Sequence, residues 1–281
     1  MRSRMEANQL LDAAEEQVQR SCYLPSTSEF DREGHASLSL PMSFARKYSS
    51  CFAEAPRFGE VRFDVLYHSP TSQKLRNHIL SRKNGVELGS VIGGVQNSAL
   101  RKRQYVDDPD LGVPLLGGTQ LMQTRPAQLK YLSKALTRNL ENEVAQSGWT
   151  LVSSGGTLGR VVFVHRNYEG YALSQDVMRI IPDKSKLAPG FVFAFLSSEY
   201  GQLQIQQRGY GSVVPRLREF QFERIAVPVP SDNGESIHRM VLDAFDRRAE
   251  ATEAENDAIR MFEDALRRGR TYIEAEWGAE Y

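Results

Sequence analysis

Between residues 154 and 160 the chain reads Ser-Gly-Gly-Thr-Leu-Gly-Arg. Gly155, Gly156 and Gly159 bracket Thr157 and permit backbone conformations that a Cβ opposes. Such a turn can cradle a phosphate. This one lacks the GxxxxGK[ST] pattern of a nucleotide loop, because Arg160 follows Gly159 without a Lys-Ser/Thr pair. Arg208 and Arg216 flank Gly211-Ser212, and two guanidiniums beside a glycine loop suit an anion. Arg101-Lys102-Arg103 beside Tyr105 fits either a solvated loop or contacts that position a phosphate backbone. Ser174 and Gln175 fall on an expected strand near the glycine turn. There Gln175 faces solvent or an adenine edge, which Gln pairs bidentately in the major groove.

Patterns for catalysis are thin. There is no HExxH or CxxC spacing for a metal. His35, His68, His78, His165 and His238 are scattered, and none shares a motif with a nucleophile. No asparagine-proline-proline-aromatic motif of adenine methyltransferases, no helicase P-loop and no nuclease-like D…ExK stands in the sequence. The missing patterns agree with a chain that does no chemistry of its own. The expectation is a protein with no cofactor and no metal of its own.

Net charge is zero, but it is unevenly spread. Residues 231–281 hold 13 acidic and 7 basic side chains, which leaves residues 1–230 with 28 basic against 22 acidic. An excess of +6 suits a reader of bases rather than a non-specific phosphate binder. The 281 residues, 41% hydrophobic and 25% charged, are ordinary for a globular protein. No apolar run approaches the roughly 20 residues that cross a bilayer, and the N-terminus lacks the apolar core of a secretory signal. Cys22 and Cys51 make no disulfide framework, so a reducing cytoplasm is the expected location.

The elements that must position these residues follow from periodicity. Residues 5–20 form a short amphipathic helix with Leu10, Leu11, Ala14 and Val18 on one face. Residues 23–58, rich in Ser and Pro, read as a loop-rich connector. A helix fits 71–82, and 84–182 is mostly strand and turn, with strands at 149–153, 161–164 and 171–181. Residues 190–207 read as an amphipathic helix. The prolines at 228 and 230 close the domain, since they cannot continue a sheet interior. A long helix then runs from about 235 to 268. Its stripe of Ile237, Val241, Phe245, Ile259, Phe262 and Leu266, with Ala244, Ala251 and Ala258, keeps a period of 3.5 to 3.6. At 1.5 Å per residue it spans roughly 50 Å, longer than one small domain covers.

Four groups of segments recur in a fixed order. They are Arg62-Phe63-Asp64-Val65-Leu66-Tyr67-His68-Ser69-Pro70; Tyr105-Val106 with Gly112-Val113-Pro114-Leu115-Leu116-Gly117-Gly118; residues 149–179 around the glycine turn; and Gly190–Ser198 followed by Tyr210–Pro215 and Ile225–Pro230. Over roughly residues 60–230 this order resembles the target-recognition domain of the specificity subunit of type I restriction–modification systems. Where that family commonly carries an arginine and a serine before Gly156-Thr157, this chain has Ser154 and Gly155.

The resemblance implies an α+β fold: a mostly antiparallel β target-recognition domain with short helices, then a long coiled-coil-type helix. It divides the chain into a helix at 1–22, the connector at 23–58, the recognition domain at 59–232, a dimerisation or docking helix at 233–270 and a tail at 271–281. It implies a non-catalytic subunit that binds double-stranded DNA, with Arg101, Lys102, Arg103, Thr157, Arg160, Ser174, Gln175, Arg208, Ser212 and Arg216 as contacts. The long helix would dock methyltransferase (modification) subunits and, through them, restriction/translocase subunits. S-adenosylmethionine and ATP would belong to those partners. A full subunit of that family has two recognition domains with antiparallel helices, and this chain has one, so it resembles half a subunit. The expected partner is a second copy or another specificity fragment. The alternatives are a nucleotide-binding enzyme using the 155–159 turn, an assembly protein that makes no DNA contact, and a truncated reading frame.

Overall fold

The computed structural model describes residues 2–22, 24, 62, 67–98, 102–123, 125–166, 168–211 and 213–277. The expected connector with Cys51, and the candidate contacts Arg101 and Ser212, lie outside the described residues.

Helices α1 (Arg2–Ser21) and α2 (Pro70–Leu80) precede the sheets. Strands β1 (Gly85–Glu87), β2 (Ile92–Asn97), β3 (Tyr105–Val106), β4 (Gly112–Leu116) and β5 (Lys130–Ser133) come next. They are followed by β6 (Thr150–Ser153), β7 (Val161–Phe163), β8 (Ala172–Leu173) and β9 (Val177–Pro182). Helices α3 (Pro189–Ser197), α4 (Glu199–Arg208) and α5 (Glu219–Glu223) lead to β10 (Ala226–Pro228) and to α6 (Glu235–Trp277). Two four-stranded sheets run β2-β9-β6-β7 and β3-β5-β4-β8, and β1 pairs with β10. Among the named strands only β4 and β8 pair in parallel.

Strand β6 explains the layering. Alternate side chains leave a strand on opposite faces, and here both faces are covered. Val152 enters the larger core with Met178 and Ile180 of β9 and the helices. Leu151 enters a second core with Val162, Val177, Leu116 and Leu173 between the two sheets. That is why β6 reads as a continuous apolar run.

The helix expected over 190–207 is two helices. Ser198 sits in extended backbone at ψ 162° between them, and its hydroxyl donates to Phe195 O at 2.7 Å. Helix α3 is buried on every side rather than amphipathic, because β7, α1 and α6 enclose it.

Helix α6 outlasts its expected end and at about 1.5 Å per residue is about 65 Å long. Its first half is not free. Ile237, Val241, Ala244, Phe245 and Ala249 are buried against α1 and α3, with Ala7, Leu11, Ala14 and Val18 of α1 facing them. The two helices run antiparallel: Gln17 meets Ser236 at 3.1 Å, and Arg4 meets Glu255 at 2.7 Å. Phe245 also meets Phe163 and Phe193 edge-on, both at 5.4 Å, which bolts the helix to the sheet. The expectation that Ile237, Val241 and Phe245 face a partner is therefore corrected: this chain covers them itself. Ile259, Phe262 and Leu266, farther along, remain exposed.

Candidate nucleic-acid interface

The glycine turn joins β6 to β7 and is stiffened from within. Ser153 Oγ donates to Thr157 O at 2.6 Å and accepts from Arg160 N at 2.9 Å. Gly156 and Gly159 hold φ of +75° and +80°, which a side chain would oppose. Behind the turn, the amides of Gln202 and Gln206 on α4 donate to Gly159 O and Leu158 O at 2.8 and 3.0 Å. Gly156 and Thr157 are left at the exposed tip. Four N–H groups of the turn are already spent: Ser154 on Asp176 O, Gly156 on Pro215 O, Gly159 on Ser153 O and Arg160 on Ser153 Oγ. With these donors committed inside the fold, few N–H groups of the turn remain for a phosphate, which weighs against a nucleotide loop.

Two further turns are fixed against this tip. Arg216 bridges Gly155 and Tyr210 through backbone pairing, and Ser154 N bonds Asp176 O at 2.8 Å. The exposed Arg216 guanidinium lies 3.3 Å from the Asp176 carboxylate. An exposed pair of this kind holds weakly, on the order of 0–1 kcal/mol, so Arg216 can exchange it for a phosphate or base. A Cβ at Gly155 would lie 2.7 Å from Asp176 Oδ1, so that carboxylate would have to shift. Arg216 thus stands beside Gly155, where this chain carries no arginine of its own before Gly156-Thr157.

Thr157, Gln175 and Arg216 come together at this end. Gln175 is half-buried in the turn between β8 and β9, not on a strand as expected. Ser174 is buried, its N bonded to Leu116 O. Arg160 reaches Gly118 O and Arg103 reaches Leu173 O, both at 3.4 Å, so both flank the same end half-buried. Lys102 is exposed.

Arg208 does not belong to this surface. It is 5% exposed, and its guanidinium donates to Gln204 O at 2.8 Å and Arg224 O at 3.0 Å. Loss of water pulls its pKa down to about 10. The expected DNA contact is replaced by a structural tie between α4 and the residues before β10. Arg208→Ala should then cost about 2–4 kcal/mol by leaving a cavity and unsatisfied carbonyls. Thermal melting reads this directly. An unchanged Tm combined with weaker DNA binding would restore Arg208 as a contact.

Three residues were not singled out from sequence. Arg218 is exposed, donates to Tyr210 Oη at 3.1 Å and lies 5.0 Å over its ring. The Tyr210 contact raises the Arg218 pKa. Arg62 stacks over Tyr67 at 4.8 Å and donates to Gly209 O at 2.7 Å. The signal for Arg218 was its spacing of two from Arg216, which places both on one face of an extended segment. Arg179 is a lone cation inside an apolar strand. It is buried over Trp149, donates to Asn142 O and to Ser98 Oγ, and lies 3.9 Å from Glu143. Burial lowers its pKa against the pull of Glu143. It ties loops of both sheets behind the interface.

Among the described residues no group of three His, Cys, Asp or Glu side chains is placed to hold a metal ion. No described helix is long and apolar enough to cross a membrane.

Residues 87–261 match the family model for the type I restriction modification DNA specificity domain. No curated protein matches the chain. Two solved structures are similar to it. The S subunit of a type I restriction-modification system from M. genitalium is 14% identical, with a TM-score of 0.46 over 70% of this chain and 48% of that one. The HsdS subunit from Thermoanaerobacter tengcongensis is 12% identical, with a TM-score of 0.42 over 92% of this chain and 53% of that one. The chain spans about half the length of either. The family match runs from the last residue of β1 through both sheets and the glycine turn into α6, and it makes this chain a member of the type I restriction modification DNA specificity domain family.

Proposed function

We propose that this chain is the DNA-reading subunit of a type I restriction–modification complex. Its recognition domain, residues 59–232, binds one half of a bipartite target. Its long helix docks methyltransferase subunits and, through them, the restriction/translocase subunits. The chain carries no catalysis of its own: S-adenosylmethionine and ATP are bound by those partners, in the cytoplasm where the DNA lies. A second copy of the chain supplies the other half of the target.

The observation that carries this reading is the rigid, exposed end where the Gly156-Thr157 tip, the 175–176 turn and Arg216 are hydrogen-bonded side by side. A surface that reads bases needs polar and cationic groups held in fixed register, because direct readout depends on geometry. Phosphates would be met by Arg218, Lys102, Arg103 and Arg160, and base edges by Thr157, Gln175 and Arg216.

The test is to express the chain with a modification subunit and map the methylated positions across a genome. A single gapped sequence is the expected result. Arg216→Ala should weaken binding by about 1–3 kcal/mol and relax the sequence at one position, while Tm stays unchanged. Unchanged affinity and an unchanged methylated sequence would remove Arg216 as a reader.

A further inference from the structure

Residues 210–211 and 213–216 form a narrow ribbon on the same face, closed by the single Tyr210–Arg216 bridge. Tyr210 and Arg216 exchange both backbone hydrogen bonds, at 3.0 and 2.7 Å. Gly211 holds φ at +97°, and a Cβ there would lie 2.9 Å from Val214 O, so the return of the chain is tight. The ribbon is anchored to the glycine turn by Gly156 N on Pro215 O and by the Gly155–Arg216 bridge. This geometry presents Val213 and Val214 at the tip, 90% and 50% exposed.

Two adjacent valines left largely in water forgo the burial that apolar side chains favour. Their surroundings indicate what covers them. Arg216 on the ribbon and Arg218 just after it are exposed, and Arg62 lies over the Tyr210 ring at 6.0 Å. An apolar tip with a cationic rim complements a polyanion that has an apolar group at the bottom of a groove. The major groove of duplex DNA admits a two-stranded ribbon, and the apolar group its base edges display is the thymine 5-methyl.

We propose that Val213 and Val214 enter the major groove and read thymine through its 5-methyl group. The proposal rests on the DNA-reading function above and names a source of its base preference.

The experiment is a binding selection with the full chain and any modification subunits that purify with it. Two random duplex libraries are used, one containing thymine and one containing deoxyuracil, which differ only in that methyl. The parent should prefer thymine over deoxyuracil at one or more positions by about fourfold, the value of one methyl group withdrawn from water. The double variant Val213→Ser, Val214→Ser should lose that preference and keep the rest of the selected sequence. Both side chains are solvent-facing, so Tm should not change. A parent that selects the same sequence with equal affinity from both libraries overturns the proposal and leaves the DNA-reading function standing. So does a preference that survives in the variant. A folded variant that loses selectivity at every position would assign the tip to prying bases apart rather than reading a methyl. A parent that selects no sequence from either library overturns the DNA-reading function itself.

Discussion

The double substitution Ile259→Asp, Phe262→Asp is expected to turn a dimer of this chain into a monomer and to abolish docking of modification subunits, with the recognition domain still folded. The two positions are 39% and 66% exposed on α6, beyond the stretch that α1 covers. One helix turn separates them, so they share a face, and Leu266 continues it. An apolar stripe on an antiparallel helix pair is buried twice over, once in each copy. In two copies the stripe offers a gross burial gain of several kcal/mol, which is set against the cost of bringing two chains together. Four carboxylates in that seam would oppose the contact further by desolvation and repulsion. Light scattering reads the mass and thermal melting reads the fold. The domain should melt as the parent does, because neither side chain touches its core. A parent that is monomeric even with modification subunits present would sink the model of two paired copies. A parent that pairs with a different specificity fragment would instead give an asymmetric gapped target in place of a gapped palindrome.

The substitution Gly234→Ala is expected to destabilise the chain by about 2–5 kcal/mol, or on the order of 10 °C in Tm for a domain of this size. Gly234 opens the long helix at φ +83°, where an L side chain costs roughly 1–2 kcal/mol. A Cβ would also overlap Phe191 Cβ and lie 2.7 Å from its Cγ. Phe191 is fully buried and stacked on Phe195, so it has nowhere to move, and overpacking of this kind costs a further 1–3 kcal/mol or so. The close approach is purposeful. Asp232 accepts from Gly234 N and Ser236 N, both at 3.0 Å, and fixes the helix start against α3. On the proposed function the effect should extend to DNA binding, because α6 would then set where a second domain meets DNA. A melting curve identical to the parent would show that this helix start carries no such constraint.

How much of this was legible beforehand depends on the range of the interaction that decides each element. Local signals sufficed for α1, α6 and the β6–turn–β7 hairpin. Helical periodicity repeats within one turn, and the glycines at 156 and 159 declare positive φ in their own type. The break at Ser198 was hidden, because the apolar run of α3 before it carries no period to interrupt. Gln175 was placed on a strand because its neighbours are β-prone, yet it sits in the turn that the Ser154–Asp176 pairing imposes.

The site shows the same division. Arg208 and Arg216 are identical in type and both lie beside the same glycine loop, so sequence gives them equal claim. Packing separates them: one donates to carbonyls inside the fold, the other stands in solvent beside Gly155. The long helix divides likewise. Its stripe from Ile237 to Leu266 is uniform as a pattern, and only the antiparallel seat of α1 decides that the first half is spoken for and the second half bare. By itself, then, the sequence determined the family, the order of elements and the glycine turn, because these rest on residue type and spacing over a few positions. Which cations face outward, which apolar residues remain uncovered and which turns share a surface were decided by tertiary structure alone. Burial is a property of contacts between segments tens or hundreds of residues apart, such as Arg4 with Glu255, and no local window contains both partners.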